Sequence, residues 1–113
     1  MSQAIPLFAN PGQTVTIVVQ TLDGYGERVD DNIPVVTDIF FPDRTPADNF
    51  PQNMVKIDTG LYTFNVNIPS GSDYLGTFIA NVKFNDPDTG NVVWQVFTIN
   101  VARPFGNSTA TPI

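Results

Sequence analysis

Gly60-Leu61-Tyr62-Thr63-Phe64-Asn65-Val66-Asn67-Ile68-Pro69 is followed, six residues on, by Gly76-Thr77-Phe78-Ile79-Ala80-Asn81-Val82-Lys83-Phe84. In the first run Tyr62, Phe64, Val66 and Ile68 alternate with Leu61, Thr63, Asn65 and Asn67. In the second, Phe78, Ala80, Val82 and Phe84 alternate with Thr77, Ile79, Asn81 and Lys83. A period of two sends one set to the core face of a pleated strand and the other outward. Each run is entered at a glycine, and Pro69-Ser70-Gly71-Ser72-Asp73 parts them. These runs predict a sandwich-type antiparallel pair.

Working outward, the same reading predicts seven strands, over residues 5–9, 14–21, 35–41, 54–58, 61–68, 75–84 and 91–101. All ten prolines fall at strand margins or in connections, as expected of a ring that cannot donate to a ladder. Asp86-Pro87-Asp88-Thr89-Gly90-Asn91 reads as a hairpin connection. Residues 22–34 and 42–53 lack alternation and read as surface loops. The expected core is Val15, Ile17, Val19, Ile39, Tyr62, Phe64, Val66, Phe78, Val82, Phe84, Phe97 and Ile99. Residues 1–102 are assigned to one sandwich with an N-terminal strand or arm, and 103–113 to a C-terminal tail.

Composition supports an all-β chain. Its 113 residues include 13 Val, 9 Ile and 12 Thr against 4 Leu, 2 Lys and 1 Glu, so β-branched residues outnumber good helix formers. A domain of this length buries roughly two-thirds of its unfolded surface and needs no covalent staple. With no cysteine there is neither disulfide nor thiolate metal site, and with no histidine the usual general base and the commonest zinc ligand are missing. Ser70 and Ser72 therefore have no base partner, and the expectation is a protein without enzymatic activity. Eleven acids against five bases, net −6, repel a phosphate backbone and argue against nucleic acid. No apolar run approaches a membrane span. The N-terminus carries neither a basic n-region nor an apolar h-region. With Met1 as its natural start, the chain is expected to be made in a host cytoplasm as a stand-alone module.

Asp30-Asp31-Asn32 and Asp86-Pro87-Asp88 offer oxygen ligands of the kind that hold Ca²⁺, yet lack EF-hand spacing. Asp and Asn also populate turns because they bond their own backbone, so no tight metal site and no cofactor are expected. Asn107-Ser108-Thr109 fits a glycosylation pattern only by coincidence if no leader is present. The last strand is more informative. If Val93, Phe97, Ile99 and Val101 point inward, Val92, Trp94 and Val96 face the other way; similarly Val36 and Phe40 lie opposite Val35, Ile39 and Phe41. Either loops cover these side chains or they form an apolar interaction surface. The candidate interface residues are Ile5, Leu7, Phe8, Phe40, Trp94 and Phe105.

Pro11-Gly12-Gln13-Thr14-Val15-Thr16-Ile17, Asp23-Gly24-Tyr25-Gly26, Gly60-Leu61-Tyr62 and Gly76-Thr77-Phe78 together resemble the running pattern of bacterial and phage immunoglobulin-like domains, including macroglobulin-type and invasin-type modules. The resemblance spans about residues 5–101 and implies a seven-stranded antiparallel β-sandwich with Greek-key connections. The Cys–Trp–Cys signature of antibody domains is missing. A free-standing domain of this kind, with an apolar N-terminal segment and a proline-containing tail, also resembles small capsid decoration (cement) proteins of tailed phages. That resemblance implies a non-enzymatic virion structural protein on the capsid surface, a homotrimer bound to the major capsid protein or another virion protein. The alternative is a cell-surface adhesion or carbohydrate-binding module of a larger secreted protein or phage tail, with Tyr25, Phe50 and Tyr74 stacking on a ligand.

Overall fold

A computed structural model describes residues 4–102. These residues build two β-sheets packed face to face, with no α-helix among them. In chain order the strands are β1 (Ile5–Ala9), β2 (Thr14–Gln20), β3 (Val35–Phe40), β4 (Gln52–Asn53), β5 (Val55–Asp58), β6 (Leu61–Asn67), β7 (Gly76–Asn85) and β8 (Val92–Val101). A single 3₁₀ turn, Ser72–Tyr74, lies between β6 and β7. The larger sheet has the order β1-β8-β7-β3-β4 and the smaller β2-β6-β5. β1 runs parallel to β8, and every other pairing is antiparallel.

Alternation does the sorting. Along β2, Val15, Ile17 and Val19 are buried while Thr14, Thr16, Val18 and Gln20 are exposed. Across the ladder they meet Val66, Phe64 and Tyr62 of β6. From the larger sheet come Val36, Ile39, Phe78, Ala80, Val82, Phe97, Ile99 and Val101, and the two inner faces close on one another. Phe41 adds an edge-on ring against Phe78, with centroids 5.6 Å apart. On the solvent side of β2 and β6, Thr14 and Thr16 hydroxyls each donate to the amide oxygen opposite, on Asn67 and Asn65, at 2.8 Å. These cross-strand pairs hold register where no apolar contact can.

Four expectations need correction. The runs 61–68 and 76–84 are not ladder partners: β6 lies in the small sheet and β7 in the large one. Pro69, Gly71 and the 3₁₀ turn carry the chain across the sandwich instead of reversing it within one sheet. The described residues form eight strands rather than seven, because Gln52–Asn53 pairs with Val35 and Val36 before the chain crosses at buried Met54. Two polar residues behind a proline give no periodic signal. Val36 is fully buried rather than outward, since a bulge between Val36 and Asp38 turns both Val36 and Ile39 to the core. Finally, Phe64 and Phe84 are half-buried and pack at the core's margin.

Candidate interaction surfaces

The outer face of the five-stranded sheet is read from its register. Phe40, Ile79, Thr98 and Pro6 form one row across β3, β7, β8 and β1. Phe8 lies beside Asn100 and Thr77, and Trp94 lies beside Lys83 and Val35 farther along the sheet. Phe8 is 76% exposed and Trp94 52%. The Lys83 ammonium sits 5.9 Å from the Trp94 ring centre, a cation–π contact that leaves one side of the indole open. Between the two apolar ends, the Asn81 side-chain amide donates to the Asp38 carboxylate. Phe40 and Ile79 floor a shallow depression bordered by Arg44 and Asn81.

The candidate residues thus divide. Phe8, Phe40 and Trp94 share this outer face. Ile5 and Leu7 lie on the inward side of β1, in register with Phe97 and Ile99. Leu7 packs on the core, while Ile5 lines a rim cavity with Val18, Val19 and Phe84. Phe105, with the rest of the tail and Asn107-Ser108-Thr109, lies outside the described residues. Ile5 and Leu7, named as interface candidates, instead belong to an edge strand whose alternate residues help close the sandwich.

Charge is distributed unevenly. The connections 21–34, 58–60 and 86–91 meet at one end of the sandwich and carry Asp23, Glu27, Asp30, Asp31, Asp58, Asp86 and Asp88. The two cations at that end are already engaged, Arg28 with Asp58 at 3.3 Å and Lys56 with Asp30 at 2.7 Å. By contrast the outer face of the large sheet holds Asp38, Lys83 and, at its margin, Arg44. Like charge therefore opposes the approach of an acidic partner at the loop end and much less at the sheet.

The acidic loops use their carboxylates on the protein itself. Asp30 accepts from Lys56 and from the Gly60 N–H at 2.9 Å, and Asp86 accepts from the Asp88 N–H and the Thr89 hydroxyl. Among the described residues no three His, Cys, Asp or Glu side chains converge as metal ligands. The Lys56 hydrogen bond, then the Gly60 N–H, hold the Asp30 carboxyl below the usual carboxylate range, and Asp30 in turn raises Lys56. A depressed acid contributes stability that is present above its unfolded pKa and lost as pH falls through its folded one. A raised amine contributes below its unfolded pKa and loses it as pH rises through its folded one. Thermal melts of wild type and Asp30→Asn should therefore differ at neutral pH and converge in strong acid. Coincident curves at every pH would show that the pair adds nothing, as is true of many exposed ion pairs.

At the tip of the 21–34 connection, Asp23 accepts from the Tyr25 and Glu27 N–H groups. This turn presents Tyr25 with 93% of its surface exposed. Phe50 and Tyr74 are not equivalent to it: each packs against another ring, Phe50 on Phe64 and Tyr74 on Phe41, both at 5.9 Å. They also lie toward the opposite end of the sandwich, so the three aromatics do not form one stacking platform. No helix among the described residues is long and apolar enough to cross a membrane. No protein-family model matches the chain, and no curated protein matches its sequence.

Proposed function

We propose that the chain is an immunoglobulin-like sandwich acting as a non-enzymatic binding module, a decoration protein that sits on and stabilises an assembled phage capsid as a homotrimer. The sheet orders support the fold reading: a three-stranded sheet faces a larger one whose first strand runs parallel to the last. The observation that carries the functional reading is the outer face of the large sheet. It presents Trp94, Phe8 and Phe40 on a surface almost free of net charge, on a chain of net −6. Aromatic anchors dominate interface energetics, and symmetric copies multiply weak contacts on a repeating shell.

Trp94→Ala should lower affinity for the shell by about tenfold or more. The melting temperature should stay close to wild type, because the indole is half-exposed and faces away from the core. The check is co-sedimentation with empty capsids of the encoding phage, with copy number per shell, alongside ultracentrifugation of the free protein. A monomer at every concentration that never pellets with shells would refute the reading.

The adhesion alternative keeps one observation in its favour, the exposed and tightly held Tyr25. Glycan binding abolished by Tyr25→Ala, with Trp94→Ala silent, would select it.

A further inference from the structure

The outer edge of β6 is open for half its length. β2 covers one side of this strand from end to end, but on the other side β5 pairs with Leu61, Tyr62 and Thr63 alone. No described strand lies beside residues 64–67 there. Backbone groups along a strand point alternately to its two neighbours. The Ile68 N–H donates to the Gln13 carbonyl on the β2 side at 2.9 Å, which fixes the alternation. Val66 and Phe64 point the same way as Ile68, so the N–H and C=O groups of Asn65 and Asn67 point to the open side. The facing edge of β3 is not free in this way. The 42–49 loop covers it, the Ala47 N–H donating to the Ile39 carbonyl and the Phe41 N–H to the Thr45 carbonyl, each at 2.8 Å.

Beside this edge runs a groove of about 340 Å³, walled by Phe41, Phe50, Phe64, Ala47, Val66 and Pro69. No charged side chain lines it. Its neighbour, a cleft sharing Phe41, is lined by Asp43 and Asp73. Asp43 accepts from the Thr45 hydroxyl at 2.6 Å and the Thr45 N–H at 3.0 Å, which hold its carboxyl below the ordinary range and keep it charged. An unpaired strand edge, an apolar trough and flanking carboxylates are complementary to one kind of occupant.

We propose that the β6 edge is a docking site for an extended segment of a partner polypeptide, added antiparallel to β6 in line with β5. The segment carries apolar side chains at alternate positions and a flanking Lys or Arg. Main-chain bonds to Asn65 and Asn67 supply affinity, the groove takes the alternate side chains, and Asp43 and Asp73 attract the flanking cation. The site lies on the sandwich edge, away from the Trp94 face, and does not depend on the shell reading.

The test uses the full chain and an acetylated Lys-Thr-Val-Thr-Val-Thr-Lys peptide, with an all-Ser/Gly peptide of equal charge as control. In the free protein the Asn65 and Asn67 amides should exchange rapidly while Phe64 and Val66 are protected. Adding the apolar peptide should protect Asn65 and Asn67 selectively, and the control should not. Asn65→Pro removes one edge donor without removing a β2 ladder bond and should weaken peptide binding about tenfold or more. Asn65→Ala loses only the side-chain bond to Thr16 and should bind like wild type. Ala47→Trp, which fills the groove and leaves the edge donors alone, should also abolish binding.

Equal binding of the two peptides overturns the proposal, as does binding that survives both Asn65→Pro and Ala47→Trp. It is also overturned if Asn65 and Asn67 are already protected in the free protein. Protection that rises with protein concentration would then assign the edge to a second copy, and protection lost on deleting 103–113 would assign it to the chain's own terminus.

Discussion

Gly60→Ala should destabilise this protein by about 2–5 kcal/mol, summing roughly 1–2 for a left-handed L-residue and 1–3 for overpacking. Gly60 adopts φ +63°, and a Cβ built there meets the Thr21 carbonyl and the Val29 N–H at 2.8 Å and the Val29 carbonyl at 2.9 Å. All three neighbours are backbone and cannot swing away. They are also knitted together: the Gly60 carbonyl accepts from the Thr21 N–H, the Thr21 carbonyl from the Val29 N–H, and the Thr21 hydroxyl donates to the Val29 carbonyl at 2.6 Å. Thr21 is fully buried, so displacing Val29 leaves its hydroxyl without its partner inside the fold. The melting temperature should drop by roughly 10–20 °C. Gly26→Ala is the control. It has a similar φ of +81° but nothing within 4 Å of the new Cβ, and should cost only about 1–2 kcal/mol. Equal losses in the two variants would show that backbone crowding at Gly60 is not what the fold responds to.

The Gly60 junction also shows where reading the sequence stops. Gly60-Leu61-Tyr62 marks a strand entry by composition alone, and each of the seven anticipated segments overlaps a strand of the structure. That Gly60 is clamped between Thr21 and Val29 depends on the 21–34 connection folding back on itself against the β5–β6 turn, and no local pattern encodes their meeting. Val36 failed for a related reason. A bulge shifts the inside–outside phase by one residue, and the bulged Thr37-Asp38 pair carries no composition that announces it. β6 and β7 were assigned to one pair because alternation reports which faces are buried, not which sheet a strand joins.

Trp94 was legible as an outward residue because long alternating strands fix phase over many positions, and β8 runs unbroken through its ladder with β7. The open edge of β6 was not legible at all. It arises because β5 is four residues long against seven in β6, a mismatch between strands that neither sequence contains by itself. The acidic loop end could be counted but not interpreted. Asp86 accepts from the Asp88 N–H two residues on, which is the turn chemistry its residue type favours, whereas Asp30 accepts from Lys56 and the Gly60 N–H, partners far along the chain that no local pattern points to.

Phe97→Ala should cost about 3–5 kcal/mol, in the range of other fully buried aromatics. Phe97 is 3% exposed, in register with Ala80 on one side and Ile5 on the other, so its ring fills the space that small Ala80 leaves. Truncation removes the transfer free energy of the ring and opens a void that flanking β-strands, held by ladders on both sides, close only in part. Phe64, expected from alternation to matter equally, should cost less, about 1–3 kcal/mol. It is half-buried and forms a wall of the groove beside β6, so truncation there enlarges an existing depression rather than making a cavity. Denaturant unfolding of both variants, with unchanged m-values, measures the difference. The order of the two losses has a consequence beyond the core. If Phe64→Ala proves as costly as Phe97→Ala, Phe64 is fully covered in solution, and the groove along the β6 edge is closed in the free protein.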